Sequence, residues 1–100
     1  MRIPNVTECE HSLRLRKQYA TVRFRYIRTE LDLAITLCEI AADTQDVSAK
    51  SRMLAHARNS YEAAERAKQH SEFTDVMRAE IEQRELRLNS VLLIVYSPLN

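Results

Sequence analysis

The stretch RFRYIRTELDLAITLCEIAA, residues 23–42, decides the fold, because its apolar side chains recur at the spacing of an α-helix. Intervals of three and four alternate, which places these side chains on one side of a helix with about 3.6 residues per turn. We call this set the seam: Ala20, Phe24, Ile27, Leu31, Ala34, Cys38 and Ala41. The pattern predicts a helix with one continuous packing face.

A second apolar stripe accompanies the seam on the same predicted helix. It consists of Tyr19, Val22, Tyr26, Leu33, Leu37 and Ile40. Together the two sets cover more than half of the helix circumference, which is wider than an ordinary surface helix needs. The two stripes therefore predict a central helix that both later helices pack against.

The composition favours helices over strands. The chain has 100 residues, no Gly and only two Pro. Most tight hairpin turns need Gly, whereas Ala, Leu, Glu and Arg, which are prominent here, are good helix formers. We therefore expect a single all-α domain spanning residues 1–100.

Three helices are predicted, over residues of about 8–43, 49–70 and 72–96. Thr7 and Glu10 fit a capping box at the first helix, the polar segment 43–48 suits a loop, and Ser71 suits the N-cap of the third helix. Short loops favour an antiparallel three-helix bundle with a long first helix. Because the later helices are shorter, the segment around residues 8–20 should project beyond the bundle.

The two later helices each have a predicted packing face. The face of the second helix is rich in Ala, which permits a close approach, with one large side chain: Met53, Leu54, Ala57, Tyr61, Ala64 and Ala67. The face of the third is larger: Phe73, Met77, Ile81, Leu88, Val91 and Val95.

The spacing Ala57-x-x-x-Tyr61-x-x-Ala64 resembles the second helix of a tetratricopeptide repeat. The Ala-rich helix and the helix count are also similar to small microtubule-interacting-and-transport domains. Either resemblance implies a groove that binds a peptide or a helix. It covers about a dozen residues, and the Trp, Leu, Gly and Tyr of the repeat's first helix are absent, so no ligand residue can be transferred.

Chemistry-bearing residues are sparse. Glu8 and His11 have the spacing of one half of a di-metal site, but such sites need two such pairs and two more Glu. Cys38 falls on the seam, where a thiol behaves as a small apolar side chain. His56 borders the Ala-rich face, and His70 lies where a helix dipole favours a cation. We expect no metal, no cofactor and no catalytic site.

Charge is segregated along the first helix. Residues 13–28 carry six basic side chains and no acid, whereas residues 30–46 carry five acids and no base. Antiparallel pairing of two first helices would place basic halves against acidic halves. We therefore expect a protein-interaction module that forms a homodimer or binds another helical protein. Candidate interface residues on this helix are Leu13, Leu15, Tyr19, Arg16, Arg23 and Glu30.

Two alternatives remain open at this point. The apolar run Val91, Leu92, Leu93 and Ile94 is a rival interface, because one bundle cannot bury every side of it. Nucleic-acid binding is the alternative function, since Arg14, Lys17, Arg25 and Arg28 cluster opposite the seam. The net charge of +1 provides no global attraction to nucleic acid, so a local patch would have to supply it.

The sequence also bears on location. The N-terminus shows neither the basic start nor the apolar run of a secretory signal. The longest apolar run, residues 91–96, is far shorter than the roughly 20 residues of a membrane span. We expect a soluble, cytoplasmic protein without a membrane partner.

Overall fold

The computed structural model describes residues 6–69 and 72–96, with side chains from residue 10 onward. This part of the chain forms three α-helices and no strand. They are α1 (Val6–Asp43), α2 (Val47–Lys68) and α3 (Asp75–Val95). The predicted all-α fold with a long first helix is confirmed.

Helix α1 is the central element, because both other helices pack against it. In the described parts of the chain, no Cα atom of α2 lies within 8 Å of a Cα atom of α3. Two ion pairs between α1 and α3 indicate the direction of α3: Asp32 pairs with Arg84, and Glu39 pairs with Arg87. Both residue numbers increase together, so α3 runs parallel to α1. Only three residues separate helix α2 from the end of α1, and α2 packs back on it, so consecutive helices are antiparallel, as predicted.

The core lies along the seam, which is buried from Phe24 to Ala41. Helix α2 contributes small residues to it and α3 contributes larger ones, which matches the predicted faces. The buried set is Phe24, Ile27, Leu31, Ala34, Ile35, Cys38, Ala41, Ala57, Ser60, Ala64, Ile81, Leu88 and Val95. Tyr61, predicted as the large side chain of the α2 face, is 39% exposed instead, and Ser60 is buried in that face.

The prediction that both later helices pack against α1 is confirmed, but the second stripe is not the surface that the second neighbour covers. Of the second stripe, only Leu37 packs against the core, while the other five members are exposed. The second neighbour contacts α1 on the opposite flank of the seam, where Ile35 is buried and Asp32 pairs with Arg84. Periodicity could not choose the flank, because both sides of the seam carry apolar residues.

Side chains cap the two later helices. Oδ1 of Asp46 accepts hydrogen bonds from the backbone N–H groups of Ser48 and Ala49, and so begins α2 two residues earlier than predicted. Thr74 caps α3 through the N–H of Met77 at 3.2 Å. The predicted cap, Ser71, lies outside the described residues, and α3 begins at Asp75, three residues later than expected. Helix α1 already includes Thr7, so the predicted capping box does not begin it.

The first helix projects as expected. Every residue from 10 to 19 is exposed, and the first buried residue among the described side chains of α1 is Phe24. We call residues 10–19 the arm. None of the three helices in the described ranges has the length and apolar composition needed to cross a membrane.

Candidate interaction surface

A regular row of exposed apolar side chains runs along α1. Six large apolar side chains of this helix are exposed at intervals of three, four or seven residues: Leu15, Tyr19, Val22, Tyr26, Leu33 and Ile40. Their exposed fractions range from 37% to 65%, so neither α2 nor α3 covers them. A folded monomer rarely leaves so continuous a set uncovered unless it binds something.

Two threonines complete the spacing. Thr29 and Thr36 are exposed and fill the two gaps between Tyr26, Leu33 and Ile40. We call the eight residues together the α1 stripe. Its members follow a four-three repeat from position 15 to position 40, which is the heptad pattern of a coiled-coil seam. The α1 stripe is thus a second helix-packing face, separate from the buried seam.

The predicted interface residues of the arm lie on two different sides of α1. Leu13, Leu15 and Tyr19 are all exposed. Leu15 and Tyr19 belong to the α1 stripe, but Leu13 is rotated by about 200° from Leu15 and lies on the other side of the helix. Leu13 and Leu15 therefore cannot contact the same face of one partner helix.

Charged residues border the α1 stripe on both edges. Arg16, Arg23 and Glu30 follow each other at seven-residue intervals along the edge nearest the seam, and Arg23 and Glu30 are half-buried. Arg25, Asp32 and Glu39 follow at the same interval along the other edge. These are the positions that flank the core of a coiled coil and select its partner.

Within the described residues, intramolecular ion pairs include acidic side chains of α1 but none of its basic side chains. Nε of Arg84 lies 3.0 Å from Oδ1 of Asp32, and Nη2 of Arg87 lies 3.2 Å from Oε1 of Glu39. Among the described residues, no ion pair includes Arg23, Arg25 or Glu30. The basic half of α1 thus remains without charged partners in this part of the chain.

Only two of the four residues of the rival interface near the C-terminus are exposed in the folded chain. Val91 and Leu92 pack against the core, whereas Leu93 is 75% and Ile94 is 67% exposed. Leu86, one heptad before Leu93, is 68% exposed and was missed by the sequence reasoning. This patch is shorter than the α1 stripe and occupies only the end of α3.

The candidate nucleic-acid residues are not equivalent. Arg14, Lys17 and Arg25 are exposed on α1. The guanidinium of Arg28 lies over the Phe24 ring, 5.3 Å from its centroid, and is half-buried. A cation in this position covers a core side chain and is less free to reach a phosphate. Three of the four residues therefore form the available basic patch.

A cluster of titratable groups links α2 to α3, and sequence patterns gave no signal for it. Nζ of Lys68 lies 3.3 Å from Oε1 of Glu65 and 2.7 Å from Oε2 of Glu85. Burial lowers the pKa of Lys68, but its hydrogen bonds to Glu85 and Glu65 outweigh this effect and raise the pKa above its usual value. This arrangement stabilises the charged lysine, which suits a structural ion pair.

The pKa values of Glu85 and Tyr61, both close to Lys68, are shifted mainly by burial. Burial raises the pKa of Glu85, although the hydrogen bond from Lys68 opposes the shift. Burial also raises the pKa of Tyr61, and the nearby Glu65 and Glu85 carboxylates raise it further. The cluster borders a shallow cleft between α2 and α3, where Phe73 and Ile81 provide apolar walls.

The other residues singled out for chemistry lie apart from one another. Cys38 is buried in the core, and burial raises the pKa of its thiol. His56 is exposed on α2, and His11 is exposed on the arm. Within the described residues, no group of three or more His, Cys, Asp and Glu side chains could hold a metal ion. The side chains of Glu8 and Cys9, as well as His70, lie outside the described residues.

Comparison with protein-family models, with curated proteins and with solved structures finds no match to this chain.

Proposed function

We propose that this protein is a non-catalytic helical interaction module that self-associates through the α1 stripe. The observation that carries the proposal is the exposure of six large apolar side chains at heptad spacing on a helix whose other face is already packed. A helix from a second copy, or from another helical protein with the same pattern, could bury this face.

The arm supports the same proposal. Residues 10–19 have no neighbouring helix, yet they continue the α1 stripe through Leu15 and Tyr19. A helical segment gains most of its stability from packing an apolar face rather than from intrinsic propensity. A partner that covers the arm would provide that packing, since neither α2 nor α3 reaches it.

The α1 stripe is a better interface than the C-terminal patch because it is longer and more regular. It extends over 26 residues, from Leu15 to Ile40, which is about 38 Å of helix. The exposed residues Leu86, Leu93 and Ile94 span only about 12 Å of α3. A helix-on-helix interface gains affinity from a row of interlocking layers, which the short patch cannot supply.

The test is the molar mass in solution, measured by size-exclusion chromatography with light scattering. The wild-type chain should form a dimer whose population rises with concentration, whereas Val22→Ser/Leu33→Ser should remain monomeric with nearly unchanged helicity. Val76→Ser/Leu86→Ser is the matched control, since it removes two exposed apolar side chains from α3 instead. A monomeric wild type at about 0.5 mM, well above a micromolar dissociation constant, would contradict the proposal.

Nucleic-acid binding by the basic patch is the second candidate. It is favoured by the exposure of Arg14, Lys17 and Arg25 in a segment without acids. Phosphate contacts of this kind weaken steeply with salt. A fluorescently labelled DNA or RNA should bind at low salt, and Arg14→Ala/Lys17→Ala should weaken the binding. Unchanged anisotropy at about 50 mM salt, where such contacts are strong, would exclude this function.

A further inference from the structure

We infer that the α1 stripe binds the α1 stripe of a second copy in an antiparallel arrangement, with Val22 opposite Leu33 of that copy. This inference rests on the proposed self-association and adds its direction and register. The twofold axis then passes between Ile27 and Arg28 in sequence, so that Leu15 lies opposite Ile40. Each arm packs against the bundle of the other copy.

The sizes of the facing side chains fit this arrangement. In this register each exposed tyrosine of the stripe faces a threonine of the second copy: Tyr26 faces Thr29, and Tyr19 faces Thr36. Large residues opposite small ones interlock well in a helix interface. A parallel dimer would instead place tyrosine against tyrosine and threonine against threonine in successive layers.

The charges on the edges select the antiparallel register. Edge positions pair with the same type of edge position in an antiparallel coiled coil. Arg23 then lies beside Glu30 of the second copy, and Arg25 lies beside Asp32, and the twofold axis repeats both pairs. Arg23, Arg25 and Glu30 form no ion pair within the described part of their own chain, whereas Asp32 also pairs with Arg84 of its own chain.

Neighbouring registers are disfavoured by the same residues. A shift of one heptad in one direction places Glu30 beside Glu30 and Asp32 beside Asp32. The opposite shift places Arg23 beside Arg23 and Arg25 beside Arg25. Like charges held together at an interface are repulsive and exclude wrong pairings. Of the three registers, the inferred one is the one that places no like charges beside each other at these edge positions.

Charge exchange tests the edge pairs. Arg23→Glu would place a second carboxylate beside Glu30 on both sides of the twofold axis, so the dimer dissociation constant should rise at least tenfold. Arg23→Glu/Glu30→Arg should restore it to within about threefold, because both pairs reform with reversed polarity. Arg14→Glu is the control, since Arg14 lies away from the stripe. Failure of the double variant to recover would overturn the inferred edge pairing.

Disulfide cross-linking tests direction and register in a Cys9→Ser background. A mixture of Val22→Cys and Leu33→Cys chains should form a mixed disulfide dimer on oxidation. Neither chain should cross-link alone, because copies of position 22 are separated by about 16 Å along the axis. A mixture of Val22→Cys and Ile40→Cys chains reports the shifted register and should not cross-link.

Each contrary result has a distinct meaning. Cross-linking of Val22→Cys with itself would establish a parallel dimer, and cross-linking to position 40 would establish the shifted register; either overturns the inference. A light-scattering dimer with no 22-to-33 disulfide would also overturn it. These results leave the proposed self-association standing, whereas a monomeric wild-type chain contradicts the proposed function itself.

Discussion

Nζ of Lys68 lies 2.7 Å from Oε2 of Glu85, and this contact joins the end of α2 to the middle of α3. The two helices pack on α1 rather than on each other, since no Cα atom of one lies within 8 Å of a Cα atom of the other in the described ranges. The side chains of Lys68 and Glu85 are 32% and 22% exposed. The contact is therefore partly shielded from water, so removal of one partner costs more than it would in a surface ion pair.

Removal of the Lys68 charge should destabilise the bundle. Lys68→Met keeps most of the aliphatic stem but leaves Glu65 and Glu85 close together without a cation. We expect the free energy of unfolding to fall by about 1–2 kcal/mol at neutral pH. Urea denaturation measures the change, and Lys17→Met is the control, because Lys17 is exposed on the arm. Equal losses in the two variants would show that the Lys68 contact adds no specific stability.

The pH dependence of stability should reveal the burial of Glu85. Since the folded pKa of Glu85 is raised above its ordinary value of 4.5, the folded state holds this proton more tightly than the unfolded state. The contribution of this group to stability therefore grows as the pH falls through the folded pKa and becomes constant below 4.5.

Glu85→Gln isolates this effect. The difference in unfolding free energy between the wild-type chain and Glu85→Gln should increase in favour of the wild type as the pH is lowered from 7 towards 5. Urea titrations at several pH values measure this difference, in which the contributions of the other groups largely cancel. A difference that decreases over the same range would contradict the raised pKa.

Substitution of two leucines on α1 should have different effects, one on the stability of the monomer and the other on self-association. Leu31 is fully buried, so Leu31→Ala should cost about 2–4 kcal/mol of stability through lost burial and a cavity. Leu33 is 45% exposed, and Leu33→Ala should cost less than about 1 kcal/mol in the monomer while weakening self-association. Chemical denaturation at two protein concentrations separates these effects. Similar stability losses that do not depend on concentration would contradict the assignment of Leu33 to a free face.

The thiol of Cys38 should be protected from modification. Cys38 is buried in the core, and burial raises its pKa, so both access and the thiolate fraction are reduced. In Cys9→Ser protein, a thiol reagent at about pH 8, near the ordinary thiol pKa, should react only as fast as the bundle opens. Cys9→Ser/Tyr19→Cys provides an exposed thiol on α1 for comparison. Rapid modification at position 38 in native buffer would show that this part of the core is loose.

The amino-acid sequence was sufficient for the helices and for much of the core. The seam from Phe24 to Ala41 and the three large residues Ile81, Leu88 and Val95 follow from helical periodicity alone. The absence of Gly excluded most alternatives to an all-α fold. The loop after Asp43 was also placed correctly, because a polar cluster interrupts the apolar rhythm there and Asp46 can cap the next helix.

Other features depended on contacts between residues distant in the sequence. The Lys68–Glu85 contact joins positions 17 residues apart, and nothing in the local pattern of either helix indicates it. The start of α3 was misplaced because Glu72 and Phe73 continue a helical pattern, whereas the Thr74 side chain supplies the cap. Phe73 still packs against the core from the segment before the helix.

Helix α1 shows most clearly which features the sequence determines and which ones the tertiary structure determines. Its sequence alone determines two apolar stripes, since periodicity depends only on the rotation of each residue about the helix axis. Only the tertiary structure decided that α2 and α3 bury the seam and the Ile35 flank and leave Leu15, Val22 and Leu33 exposed. That choice depends on which sides the later helices occupy, and packing between distant segments determines it, not the local pattern of α1.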